Sequence, residues 1–441
     1  MEFKNMELGQ IASITKLAGY EFTKDIQYID NGEIIAIRAL NVKNGKLDLS
    51  QTKRISKDVS NKLVRSKLFK NEIVLTYTGS KYGEVALVNE NDKFHLAPNV
   101  CKITVNDNNI IPYYVLLIMQ TFDFKMQLKN HGVGSSQPTI PMKNIRKLQV
   151  AIPSISYQKE VLRIIEPINK KIELNQGIIA NLEELSQTLF KRWFVDFEFP
   201  DENGNPYKSS GGEMIDSELG EIPLNWKCSK IKDINVIISD HVANGSFKSL
   251  KENVQFTEDL NDKYAVFARN VDLKKGDNRF EKYVTKSSYE FLRKSHLHGH
   301  EVIISNVGDV GSVYLSPILN RPMVLGNNQI FINSDEKSLN YYFYLFFKSS
   351  IGKNLIDSIT SGSVQMKFNK TDLRNSLIVF PCKNDMNNLI TVIKKNIYSI
   401  ENKKSENMQL IQLRDTLLPK LMSGEIEIPD DIEVNEDELS I

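Results

Sequence analysis

The sequence predicts a mixed α/β (α+β) fold in two tandem copies, related by a pseudo-two-fold and separated by an antiparallel pair of long coiled-coil helices. Three observations predict it. At 441 residues the chain exceeds what one hydrophobic core usually fills. It matches itself at an offset of 228–229 residues over nearly its whole length. Each copy runs from short apolar segments with glycine turns into a heptad stripe.

The repeat holds register with a single slip. Glu72-Ile73-Val74-Leu75 and Gly79 align with Glu301-Val302-Ile303-Ile304 and Gly308 at 229, as do Leu96 and Asn99 with Leu325 and Asn328. One residue is then lost. At 228, Tyr113-Tyr114 meets Tyr341-Tyr342, and Gly134-Ser135-Ser136-Gln137 meets Gly362-Ser363-Val364-Gln365. Arg146, Pro153, Thr188 and Leu189 continue to Arg374, Pro381, Thr416 and Leu417. Chance similarity does not keep register this long, so the chain reads as a tandem duplication.

Residues 1–155 are the first globular domain. Residues 74–77 read as a strand followed by a glycine turn, and 112–121 as a short buried helix. Residues 156–196 are the first helical region. Ile168, Ile172, Ile179, Leu182, Leu189 and Trp193 alternate three/four spacing, with Asn175 and Ser186 at the two remaining seam positions. Pro167 fits a first-turn position, or a kink between a short 156–166 helix and the longer one. Residues 197–225 form an acidic polar linker rich in turn formers.

Residues 226–382 are the second globular domain, with 302–305 as a strand and 341–347 as a buried helix. Residues 383–423 are the second helical region, where Leu389, Ile393, Ile397, Ile400, Leu410, Leu413, Leu417 and Leu421 make a stripe broken by Lys403, Lys404 and Asn407. Pro419 is expected to fray or end this helix. Buried polar seam positions such as Asn175 cost stability and fix register. Residues 424–441 are an acidic tail.

Net charge is +1, which by itself points to neither nucleic acid nor an acidic membrane. Its distribution is more informative. Residues 425–441 hold eight acids and no base, and 196–221 hold eight acids against Lys208 alone. Residues 1–195 then carry 27 bases and 19 acids, and 222–424 carry 28 and 20, so each copy is +8. A two-fold perpendicular to the helices makes them antiparallel and sends the two basic domains to opposite ends. A helix of about 26 residues spans roughly 40 Å, close to the roughly 34–36 Å of one DNA turn. The pair reads as a ruler.

Lys43, Lys46, Lys53, Arg54, Lys57, Lys62 and Arg65 crowd one stretch of the first domain, and Arg269, Lys274, Lys275, Arg279, Lys282 and Lys286 a matching stretch of the second. Such runs contact phosphates and give a salt-dependent affinity; singly, they are solvated surface. Base reading needs amides, hydroxyls or Arg at groove edges. Candidates are Thr78, Ser80, Lys81 and Tyr82 in one glycine turn, Asn306 in the other, and Gln137 and Gln365 in the Gly-Ser loops.

Several classes are disfavoured. Cys101, Cys228 and Cys382 are too far apart for a disulfide scaffold or a CxxC site. His296, His298 and His300 cluster, but their counterpart Lys67-Leu-Phe-Lys-Asn71 has no histidine, which favours a polar turn over a metal site. No phosphate loop, nucleophile elbow or HExxH helix is present. No secretory signal or apolar run of membrane-spanning length is visible, so a cytoplasmic protein is expected.

At Leu182-Glu-Glu-Leu-Ser-Gln-Thr-Leu-Phe-Lys-Arg-Trp-Phe-Val-Asp-Phe-Glu198 the chain closely resembles the DNA-specificity (S) subunit of type I restriction-modification systems. Pro153-Ser-Ile-Ser-Tyr-Gln158, Lys170-Lys-Ile-Glu-Leu-Asn175, the Gly-Ser-Ser-Gln-Pro138 loop and Leu417-Leu-Pro-Lys-Leu-Met-Ser-Gly-Glu-Ile426 look like hallmarks of the same family. The resemblance implies two target-recognition domains, each reading half of a split double-stranded DNA sequence, joined by conserved helices. It implies a non-catalytic chain without a cofactor of its own. Two modification subunits would supply S-adenosylmethionine chemistry on adenine, and restriction subunits cleavage. Trp193, Phe194, Phe197 and Leu421 would pack at helix ends or against the modification subunits. A self-contained methyltransferase with divergent motifs and a coiled-coil adaptor without a DNA role are the rival classes.

Overall fold

The computed structural model describes residues 2–133, 138–363 and 365–428. It is a mixed α/β structure that divides into two compact units, residues 1–172 with 409–441, and residues 173–408.

The first unit holds a four-stranded antiparallel sheet in the order Ala12–Lys16, Val100–Val105, Ile73–Thr76, Val85–Leu87. A second sheet runs Lys53–Ile55, Ile34–Ile37, Phe94–Leu96, Lys67–Leu68, with one parallel pairing between Ile34–Ile37 and Phe94–Leu96. Ile34–Ile37 and Ile73–Thr76 are buried at every residue, so they read as continuous apolar runs without alternation. Lys4–Glu7 pairs with Gln149–Ile152. The helix Pro112–Gln120 starts on proline, whose missing N–H costs nothing in the first turn, and buries Tyr114 through Met119.

The second unit repeats this plan. One antiparallel sheet runs Ile237–Asp240, Gln329–Asn333, Val302–Ser305, Val313–Leu315. The other places Ala265–Ala268 parallel to Met323–Leu325 and adds an edge strand, Phe256–Thr257. Lys227–Lys230 pairs with Leu377–Phe380, and Lys337–Lys348 is the counterpart buried helix.

Both helical regions form long helices, Ile155–Phe190 and Lys383–Ser423. Neither proline ends one. The helix passes through Pro167, spanning 36 residues where about 26 had been expected. Pro419 lies one turn before the end, and the helix continues because Leu418, Leu421 and Met422 are buried in the first unit's core. That burial outweighs one lost hydrogen bond, whose acceptor Asp415 is exposed to solvent.

Within the second unit the polar seam residues pair with each other. Asn175 Nδ2 donates to Asn407 Oδ1 at 3.0 Å, and Asn396 Nδ2 to Ser186 Oγ at 3.1 Å. The later residue of one helix meets the earlier of the other, so the helices run antiparallel. In the first unit the same sense is kept: Tyr157 Oη donates to the Leu421 carbonyl at 2.8 Å, and Arg414 Nη1 to Asn169 Oδ1 at 3.3 Å.

Residues 197–225 are more folded than a polar linker. A π-turn at Lys191–Val195 closes the first long helix. Phe199 then stacks on Tyr207 at 4.6 Å and on Trp226 at 5.2 Å, and Met214–Ser217 pairs with Gly220–Pro223. A few aromatic anchors order a stretch whose composition is otherwise polar.

Candidate nucleic-acid interface

In each unit, strand ends from both sheets converge on one side. In the first, Lys16 lies opposite Cys101 and Thr76 opposite Val100. The Ala97 N–H donates to the Ile37 carbonyl at 3.0 Å, and the Tyr77 N–H to Asn99 at 3.0 Å. Asn99 takes φ +71°, a left-handed turn that Asn tolerates. In the second unit the Gly326 N–H donates to Ala268 at 2.9 Å and the Asn306 N–H to Asn328 at 3.0 Å, with Asn328 at φ +64°. The loops leaving these ends carry most of the expected residues.

In both copies the glycine turn meets the residues that end or follow the Gly-Ser stretch. Thr78 bridges Thr139, their hydroxyls 3.1 Å apart, and the Gly79 N–H donates to Pro138 at 3.1 Å. Ser80 and Lys81 are exposed on this turn, whereas Tyr82 spends its hydroxyl on the Leu128 carbonyl. Gln137 lies outside the described residues. In the second copy Val307 bridges Lys367, and the Gly308 N–H donates to Met366 at 3.3 Å. Gln365 is exposed there, but Asn306 donates its amide to the Phe368 carbonyl at 3.1 Å and acts as a loop fastener.

The basic runs divide. Lys53, opposite Ala36, and Arg65, in the turn Val64–Ser66, lie on the converged side. So does the Lys43–Lys46 hairpin, whose Asn44 N–H bonds Glu84 at 3.0 Å. Arg54 is partly buried and donates to the Gly32 carbonyl at 3.2 Å, and Lys62 pairs with Asp25 at 2.5 Å. Lys57 and Lys286 begin helices at the other end of their strands, away from the loops. Shared run membership therefore does not give these two a shared surface.

In the second unit most bases are already paired. Arg269 holds buried Asp272 through two hydrogen bonds of 2.7 Å and Glu281 at 2.8 Å. Lys275 reaches Glu281 at 2.7 Å, Lys274 reaches Asp309 at 2.8 Å, Arg279 reaches Asp277 at 3.0 Å, and Lys282 lies 4.6 Å over the Phe256 ring. Lys275 and Arg269 hold the Glu281 carboxyl down at about 2. Hydrogen bonding to Asp309 raises Lys274, and the same contact lowers Asp309. Lys274 thereby ties the basic corner to the glycine turn.

A residue pattern outside the expected set emerges at this corner. Arg38-Ala-Leu-Asn41 occupies the place of Arg269-Asn-Val-Asp272. Asn41 is buried and accepts from the Arg38 N–H at 3.2 Å, and Arg38 Nη2 reaches the Gln51 carbonyl at 2.9 Å. The signal, Arg-x-x-Asn/Asp in both copies, is displaced from the main repeat register.

The residues expected at helix ends or against partners are committed inside the units. Phe194 is buried, 5.1 Å from Phe190 and 5.3 Å from Trp226, and Leu421 is buried in the first unit's core. Burial leaves neither of them a face for another subunit. Trp193 and Phe197 are partly buried against the second core, Phe197 edge-on to Trp226 at 5.5 Å. The three clustered histidines do not converge: His296 stacks on Tyr289 at 3.8 Å, while His300 bonds Tyr341 at 2.8 Å and Glu401 at 2.6 Å.

Known proteins share this arrangement of duplicated domains with matched loop ends and long antiparallel helices. Residues 1–184 match the family described as the type I restriction modification DNA specificity domain. The chain is 23% identical to the type I restriction enzyme HindI specificity subunit of Haemophilus influenzae, covering 96% of this chain and 100% of that protein. It is 22% identical to the MjaIX specificity subunit of Methanocaldococcus jannaschii, covering 96% and 93%. A solved type I S subunit from M. genitalium shares the fold with a TM-score of 0.53, at 13% identity and 96% coverage of each chain. Over nearly its whole length the chain is therefore similar to specificity subunits of type I restriction enzymes. Among the described residues, no helix is long and apolar enough to cross a membrane.

Proposed function

We propose that this chain is the non-catalytic, sequence-reading subunit of a cytoplasmic type I restriction-modification complex. Each globular domain reads one half of a bipartite double-stranded DNA target. The long helices set the spacer between the halves, and a pseudo-two-fold between the copies, favoured by the repeat, fits a split site. Two modification subunits bring S-adenosylmethionine and methylate adenine, and restriction subunits add cleavage; this chain holds no cofactor.

The observation that carries the reading is the recurrence, in both copies, of a glycine turn bound at the converged strand ends to the segment 138–139 or 366–367. Backbone contacts tie each turn to that segment, while the exposed side chains, Ser80 and Lys81 in one copy and Gln365 in the other, are free to differ. Different side chains on one scaffold are what two different half-sites require. Lys43, Lys53 and Arg65 place phosphates around the first of these surfaces.

Mapping methylated adenines in the native genome, with and without this gene, tests the assignment. A split motif that vanishes with the gene is expected; an unchanged methylation pattern overturns it. Charge reversal at Lys53 and Arg65 should weaken DNA binding by the assembled complex and flatten its salt dependence. S-adenosylmethionine binding by the purified chain alone would instead favour a self-contained methyltransferase.

A further inference from the structure

Each unit exposes an aromatic ring at the start of the short helix that follows the first strand of its antiparallel sheet. Tyr20 is 70% exposed and Phe247 85%, so neither ring is held by packing. They lie 227 residues apart, in the first turn of the short helices Gly19–Asp25 and Phe247–Asn253. Those helices dock through other residues, Phe22 and Leu250. Each follows the first strand of the four-stranded antiparallel sheet, Ala12–Lys16 or Ile237–Asp240, and that strand ends on the converged side.

The surroundings suit a polyanion that approaches closely. Gly19 precedes Tyr20 with open space around it, and Gly245-Ser246 precedes Phe247. The turn Val64–Ser66, with exposed Arg65, packs against strand Ala12–Lys16. In the second unit Asn244 accepts from the Lys294 N–H at 2.8 Å and donates to Ser295 at 2.9 Å, which sets Arg293 and Lys294 beside the Phe247 corner. Each ring therefore stands on the side where the candidate reading loops emerge, with a basic turn on a neighbouring element; Tyr20 Oη itself donates to Glu21 at 3.5 Å.

We propose that Tyr20 and Phe247 are stacking residues for the DNA target, each meeting the face of a base at an opened step in its own half-site. Aromatic rings stack on any base, and apolar side chains wedge into duplex steps beside phosphate-bound cations. This rests on the DNA-reading assignment above and adds a mechanical role that the loops do not supply.

The test uses the full chain assembled with its modification subunits and the mapped target duplex, carrying 2-aminopurine in one half-site or the other. Fluorescence should rise on binding. Tyr20→Ala should abolish the rise in one half-site only and Phe247→Ala in the other, each lowering target affinity about tenfold or more. Tyr20→Phe and Phe247→Tyr should retain both signals, and melting temperatures should not move, because the rings are exposed. If both alanine variants keep wild-type affinity and fluorescence while Arg65→Glu weakens binding, the stacking role is overturned and the DNA reading stands. If Arg65→Glu and the alanine variants all bind as wild type, both fall. Loss of assembly with the modification subunits, with no half-site-specific fluorescence change, also overturns the stacking role.

Discussion

Replacing Asn407 by leucine should destabilise the second unit, while replacing Asn175 and Asn407 together should not. Asn175 is fully buried, its Nδ2 bonded to Asn407 Oδ1 at 3.0 Å and its own Oδ1 without a partner among the described residues. Asn407→Leu leaves the whole Asn175 amide in an apolar seam, a loss of about 1–3 kcal/mol. The double leucine variant removes both amides from a site of suitable shape and is near neutral or stabilising. For a unit of this size about 1 kcal/mol moves the melting temperature by about 2–4 °C. The single variant should therefore melt about 2–12 °C below wild type, and the double variant close to it. Calorimetry with urea titration of the four proteins closes the double-mutant cycle. Equal stabilities for the single and double variants, or strictly additive effects, would refute the account of the seam.

Three further outcomes follow from buried or paired groups. Lys102→Met strands the buried Glu72 carboxylate, now 2.9 Å from Lys102, and should cost about 3–5 kcal/mol by denaturant titration, more than Lys102→Met combined with Glu72→Leu. The Glu281 carboxyl should titrate near 2 by NMR and move toward the ordinary carboxylate range in Arg269→Gln. Because its pKa is depressed in the fold, its stabilising effect is present above the unfolded value of about 4.5 and is lost as pH falls through about 2. Phe194→Ala should cost about 3–5 kcal/mol in the isolated chain, since the ring is core and not a docking surface.

The repeat and the helical seam were legible because both are periodic: a fixed offset and a three/four spacing survive without any knowledge of tertiary contacts. The seam's polar positions could be read as specificity devices, and Asn175 with Asn407 pair accordingly. What periodicity misses is contact between residues far apart in sequence. His300 bonds Glu401, 101 residues away, and nothing local announces it. Proline rules overweighted Pro419 because they count one hydrogen bond and not the three side chains buried around it. Linker composition concealed Phe199 and Tyr207, since two rings do not change an average. For the interface, glycine turns and basic runs marked the right neighbourhoods. Charge alone did not separate Lys53 from Lys57, which strand direction sends to opposite ends.

The first unit is completed by residues synthesised after the second unit. Leu418, Leu421 and Met422 belong to its core, Tyr157 bonds the Leu421 carbonyl, and a side chain at Gly424 would collide with Phe3. On the ribosome, then, the opening 172 residues emerge long before the segment that closes them, and they wait through the translation of the entire second unit. The second unit, contiguous in sequence, has no such delay and can finish first. For these two units order of synthesis and order of completion are reversed, and a nascent chain that stops short of residue 418 leaves the earlier one unsealed.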